Sequence, residues 1–208
     1  MDYSLLLGFL GASVLLTIMP GPDNIFVLLE SITNGKRNAI LVSLGLISGV
    51  LVHTIIASTG IALIILKSDA LFDIIKYCGA AYLFFLAFQA FKEKREKIDE
   101  NPLATKNNSA ASLVKKGFLM NVLNPKVSLF FIAFLPQFID PKGTAISIQM
   151  VVLGLLFMLQ AFVIFMLISL LSGKLSKYLS RDKFWNGTKY LKVIVFCLLG
   201  VFIILSGK

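Results

Sequence analysis

At 208 residues, 57% of them hydrophobic and 15% charged, the chain has a mean hydropathy of +0.87 and is too apolar for a soluble domain, in which about half the residues are apolar and about a quarter charged. A net charge of +9 would suit a nucleic-acid binder, but the basic residues are confined between apolar runs of 18 to 25 residues, long enough to cross a bilayer core of about 30 Å as a helix. Nucleic acid is therefore excluded as a partner and the lipid bilayer is expected. The fold class is all-α and polytopic, because the runs are continuously apolar and do not alternate at period two as barrel strands do.

Six spans are predicted, at 4–30, 39–66, 70–91, 116–138, 146–172 and 188–206. The opening MDYSLLLGFL has neither a basic region nor a small-residue cleavage signal, and reads as a retained first span. That span is broken by PGPDN, residues 20–24. Pro20 and Pro22 lack amide hydrogens and Gly21 loosens the backbone, so carbonyls are freed. In lipid each unsatisfied carbonyl costs several kcal/mol, so these must face protein or a wet cavity. Asp23 and Asn24 begin the resumed half-helix, where a carboxylate or amide can accept from free backbone amides at the positive dipole end. A cap alone offsets about 1 kcal/mol of an insertion cost of about 2.5–3.5 kcal/mol for a membrane aspartate. Capping and lining a polar cavity both stay open for Asp23, with the cost favouring the cavity.

In the second span Gly45, Gly49 and His53 recur every fourth residue and share one helix face, where the glycines permit close contact. His53 is then either a proton relay or a donor to a neighbouring carbonyl. Cys78 and Cys197 lie in apolar segments without metal or redox spacing and read as packing residues. Gln89, Gln137 and Gln160 read as links between helices. Residues 92–116 mix both charge signs with Asn, Ser and Pro and read as a polar linker. It divides the chain into repeats at 1–91 and 117–208, each of three spans. An odd number inverts the second half relative to the first, an architecture that places a binding site between the halves.

The fourth span carries NVLNPK, residues 121–126, so both halves begin with a span broken by proline beside polar groups. Asn121 and Asn124 share a face if the helix persists between them, and Pro125 disrupts it. Lys126 either snorkels to an interface or pairs with a cavity carboxylate, Asp23 being the candidate. Fifteen basic residues fall in the loops after spans one, three and five, against four on the other side. By the positive-inside rule those three loops are cytoplasmic and both termini lie outside. One histidine, no cysteine pair and scattered carboxylates make no metal cage, and no phosphate-binding glycine loop or nucleophile–base set is present. No cofactor and no enzymatic activity are expected.

PGPDN at 20–24, NGKRN at 34–38, the Gly45–Gly49–His53 pattern, KYCGAAYLFFLAFQAF at 76–91 and GFLMNVLNPKVSLFFIAFLPQF at 117–138 together resemble the LysE/RhtB family of amino-acid exporters across essentially the whole chain. The resemblance implies a multi-pass carrier in the bacterial inner membrane that exports amino acids or close derivatives, in exchange with protons. The residues it carries over are Pro20, Gly21, Pro22, Asp23 and Asn24, with Asn121, Asn124, Pro125 and Lys126. A zwitterionic substrate would place its carboxylate on half-helix amino termini and Lys126, and its ammonium on Asp23 and the freed carbonyls. Efflux of a cation or another solute on the same scaffold, or a non-transporting assembly factor, are the alternatives. Homo-oligomer formation is left open.

Overall fold

The computed structural model describes residues 2–19, 21–62, 64, 68–92, 109–179 and 182–205. Pro20, most of the linker including Lys94, Arg95, Lys97 and Lys106, and the loop charges Lys67 and Arg181 lie outside the described residues. Among those described, every regular element is helical. Helix α1 spans Tyr3–Ile18 and starts where Asp2 accepts from Ser4 N at 2.9 Å. Helix α2, Pro22–Thr33, places proline at its first position, where the missing N–H would have no partner anyway. Gly35, at φ 89°, turns the chain into α3, Lys36–Ile56, which runs into a π-helical turn at Ala57–Ile61. Helix α4 is Asp69–Lys92.

Helix α5, Ala110–Val122, begins inside the segment read as linker, because Ser109 Oγ accepts from Ser112 N and caps it. Helix α6 is Pro125–Leu129 and continues through a π-helical turn, Phe130–Phe134, and a tight turn, Leu135–Phe138. Helices α7, Ile146–Leu179, and α8, Asp182–Leu205, complete the chain.

Three helical stretches are each long and apolar enough to cross a membrane: Lys36–Ile61, Ala70–Lys92 and Ile146–Lys174. Two bent pairs pass the same test, α1 with α2 at 56° and α5 with Pro125–Phe138 at 49°, giving up to five spans among the described residues. The predicted sixth, 188–206, falls on the apolar part of α8 as far as Leu205, with 206 outside the described residues. Outward faces are apolar, as lipid contact requires: Leu155, Leu159, Val163 and Leu167 recur every fourth residue along α7 and are all exposed. Cys78 also lies on an exposed face rather than in packing, which an apolar thiol tolerates in lipid, while Cys197 is half-buried.

Inside, Phe9 of α1 sits against Phe138 and Phe130, at ring distances of 5.6 and 5.9 Å, and Phe130 against Phe157 of α7 at 5.3 Å. Helices α3 and α5 cross backbone to backbone. A Cβ on Gly45 would overlap the carbonyl oxygen of Val114, and one on Gly117 would overlap that of Val42, so each glycine admits the other helix's backbone. This fixes α5, and the break that follows it, against α3.

Candidate functional site

Each proline in the two breaks withholds an amide hydrogen from the carbonyl four residues earlier. Pro20 leaves Leu16 O, Pro22 leaves Ile18 O, and Pro125 leaves Asn121 O. The structure finds a side-chain donor for each. Lys126 Nζ donates to Leu16 O at 3.3 Å, Asn24 Nδ2 to Ile18 O at 3.3 Å, and His53 Nε2, as its N–H tautomer, to Asn121 O at 3.2 Å. The residues singled out from sequence are therefore the groups that close the breaks.

Asn24 does this differently from the expectation. Its amide donates backward to the end of α1, reaching Thr17 O at 2.8 Å and Met19 O at 3.2 Å as well, and so clasps the two half-helices together. Its Oδ1 is buried without a partner. Gly21 occupies the cap position of α2 with no side-chain cap bond. Asp23 Oδ1 is buried and unpartnered, while Oδ2 lies 3.6 Å from Lys126 Nζ. Asp23 is 5% exposed and buried, while its counterion Lys126 is half-buried. A Cβ at Gly21 would stand 2.7 Å from Asp23 Oδ1 and 3.2 Å from Lys126 Nζ, so a side chain there would push the ends of both partners aside.

Asn121 and Asn124 do not share a helix face. The helix stops at Val122, since Pro125 cannot extend it, and Asn124 becomes the cap of α6, its Oδ1 accepting from Lys126 N at 3.0 Å. Asn121 remains buried with Oδ1 unpartnered, close under Gly49. A void of about 10 Å³, near the room for one water, lies among Thr17, Asp23, Asn121 and Lys126. Gln160 Nε2 donates to Thr17 Oγ1 at 2.9 Å and ties α7 to this wall. Gln137, by contrast, bonds only within its own helix, to Ala133 O.

On its other side Lys126 reaches a cavity of about 890 Å³ between α2, α4, α6 and α8, which Gly21, Pro22, Asn124 and Pro125 also line. Asp23 stands behind Lys126 and not on that wall. Sequence reasoning missed two further groups. Lys192, counted as a loop charge, is 7% exposed and lines this cavity. Glu30 is buried on α2, with Asn34 Nδ2 donating to its Oε1 at 3.0 Å. The signal for Lys192 was its place one turn inside an apolar run; nothing local marked Glu30.

The sequence matches the family described as LysE type translocator over residues 14–207. An uncharacterized membrane protein of Bacillus subtilis, YrhP, is 31% identical over 186 residues, covering 86% of this chain and 88% of that protein. A homoserine/homoserine lactone efflux protein of Salmonella typhimurium is 34% identical over 146 residues, 70% of this chain and 69% of that one. An uncharacterized membrane protein of Vibrio cholerae is 32% identical over 145 residues, 68% of each chain. No solved structure matches. A broken, ion-paired span in each half, on a chain matched along nearly its whole length, places this protein in the LysE type translocator family.

Proposed function

We propose that this protein exports amino acids or close derivatives across the bacterial inner membrane by alternating access, driven by exchange with protons. The observation that carries the reading is the Lys126–Asp23 pair, at 3.6 Å, with Asp23 buried and Lys126 half-buried where two broken spans meet beside a cavity. An α-amino acid carries the same two charges. Its carboxylate can take the place of Asp23 on Lys126, and its ammonium the place of Lys126 on Asp23. The protein's own two charges are already largely out of water, at several kcal/mol per ion, so on entry the desolvation still to be met is that of the substrate's two charges, offset by their pairing with Lys126 and Asp23. A proton on Asp23 releases the ammonium and weakens the hold of the site, which couples release to the proton gradient.

The contacts between helices support an inverted repeat. Exchanging the first span with the fourth, the second with the fifth and the third with the sixth leaves the α3–α7 and α4–α8 pairings unchanged, and turns the packing of α5 on α3 into that of α1 and α2 on α7. Rocking of one half against the other then opens the site to either side. The basic loops face the cytoplasm and both termini the outside, by the positive-inside rule. The efflux relative from Salmonella makes homoserine and its lactone the first compounds to try.

Counterflow in proteoliposomes tests this. Vesicles preloaded with unlabelled homoserine, or with a panel of other amino acids, should accumulate labelled compound, and an imposed proton gradient should raise the accumulation. Asp23→Asn should abolish exchange while leaving the protein in the membrane; exchange at the wild-type rate by that variant would end the assignment.

A further inference from the structure

The cavity beside Lys126 lies to one side of the two breaks. Its described lining residues fall in the halves of the predicted spans that end at the basic loops, among them Leu29 on α2, Phe88 and Lys92 on α4, Met120 before the second break and Phe196 on α8. It runs from Gly21 and Lys126 to Lys92, the exposed last residue of α4. By the distribution of lysine and arginine that end is cytoplasmic.

On the opposite side of the breaks the helices close on a cluster of phenylalanines. Phe9 of α1 lies against Phe130 and Phe138 of the fourth span, at ring distances of 5.9 and 5.6 Å. Phe134 joins those two at 5.0 Å each, and Phe202 of α8 meets Phe134 and Phe138 at 5.6 Å. Phe9, Phe130, Phe134 and Phe138 are each at most 3% exposed. Of these five rings Phe9 alone comes from the first half of the chain. Gly8 brings the backbone of α1 close, since a Cβ there would stand 3.3 Å from Phe138 Cε1. Three of the rings ride on the π-helical turn and the tight turn of Phe130–Phe138, where Pro136 has no N–H to give. Such turns are less firmly bonded than an α-helix and often mark a hinge.

Resting on the export reading above, we infer that this conformation is the cytoplasm-facing one and that the phenylalanine cluster is the outer gate. Substrate reaches Lys126 and Asp23 through the cavity. Release to the outside requires Phe9 to withdraw from Phe130 and Phe138 as the first half of the chain rocks against the second. Ring contacts are apolar and carry no fixed donor–acceptor pairing, which suits a contact made and broken in each cycle.

Thiol accessibility tests this, in the full chain with Cys78→Ser and Cys197→Ser as background. Ser13→Cys puts a thiol one turn inside Phe9 on the same face of α1, at a fully buried position. Leu29→Cys puts one in the cavity. A membrane-impermeant trimethylammonium methanethiosulfonate should label Leu29→Cys about tenfold faster in inside-out vesicles than in right-side-out ones, because reaction follows the opening of each path. Ser13→Cys should react slowly from the outside. Adding Phe9→Ala should speed that outside reaction about tenfold, and Phe9→Leu, which keeps much of the bulk, should speed it less. Phe202→Ala, at the exposed rim of the cluster, opens the gate with less burden on folding and should also speed it. Leu113→Ala, a buried truncation near the cytoplasmic end of α5, should leave it unchanged.

Faster labelling of Leu29→Cys from the outside would overturn the inference and leave the export reading to its counterflow test. So would labelling from neither side while membrane-permeant N-ethylmaleimide still reacts, the mark of a cavity filled by lipid. Outside labelling of Ser13→Cys that neither Phe9→Ala nor Phe202→Ala alters would overturn the gate as well. Labelling as expected, in a protein that exchanges nothing in the counterflow panel, would remove the export reading and the gate with it.

Discussion

At the first break, the carbonyls released by Pro20 and Pro22 are taken up by Lys126, from the other half of the chain, and by Asn24, from the far side of the same break. At the second, the carbonyl released by Pro125 accepts from Asn124 N within the break and also from His53 of α3. The difference lies in what carries each donor. Helix α3 lies backbone to backbone against α5 at reciprocal glycines, so the stretches that carry His53 and Asn121 are held side by side. Lys126 hangs on a flexible four-carbon stem and divides its charge between Leu16 O and Asp23. The second break is a frame, and the first is held to it by the contact that the proposed export reading has a substrate replace.

The largest effect tests that replaceable contact. Removing one partner of a buried ion pair strands the other charge, at a cost of about 3–5 kcal/mol. Asp23→Asn and Lys126→Gln should each lower the melting temperature in detergent markedly, and the double variant should recover most of the loss. None of the three should exchange substrate. A double variant as unstable as the sum of the singles would mean that the two residues do not answer to each other. Next comes the frame. Gly45→Val forces a side chain into the Val114 carbonyl, and overpacking of this kind costs about 2–3 kcal/mol. Leu44→Val, beside it on the exposed face, should cost nothing measurable, so the thermal melts of the pair isolate the crossing.

Much of this was legible before the fold. Apolar run length marked the spans, and proline chemistry marked both breaks to the residue, since neither depends on what packs where. The Lys126–Asp23 pairing was readable because each charge had few partners at membrane depth. The cavity role of Lys192 was not, because it needs α4 and α8 to come together across more than one hundred residues of chain. Lys76, inside the predicted third span but counted with the four charges of the other side, is buried on α4. The direction of Asn24 could not be read either: an amide both donates and accepts, and only the bend at the break decided which end met the carbonyls. Asn124 was separated from Asn121 by the same proline that drew attention to both.

Asn24 gives the third test, at the first break alone. Asn24→Ala leaves the carbonyls of Thr17, Ile18 and Met19 without this donor, a loss of about 2 kcal/mol by the cost of unsatisfied buried groups. Asn24→Asp should be worse, since it turns an oxygen toward those carbonyls and adds a charge beside Asp23. Thermal melts should rank wild type above alanine and alanine above aspartate; aspartate above alanine would mean that the side chain is an acceptor after all.

The smallest effect is expected at His53, where a relay and a brace give different outcomes. Its ring meets Asn121 O and packs 5.8 Å from Phe131, and it does not line the void that Asp23 lines. Asn124 N already donates to the same carbonyl at 2.9 Å, so the bond from His53 is a second one and its loss strands no oxygen. His53→Ala should therefore cost about 1 kcal/mol, the net value of one hydrogen bond. His53→Gln keeps a donor at a similar reach and should exchange substrate within about twofold of wild type, with the proton dependence of uptake unchanged. A relay cannot survive that substitution, because glutamine does not titrate. Loss of proton-driven accumulation in His53→Gln, with gradient-free exchange intact, would move the coupling role from Asp23 to His53 and make the second break the active one.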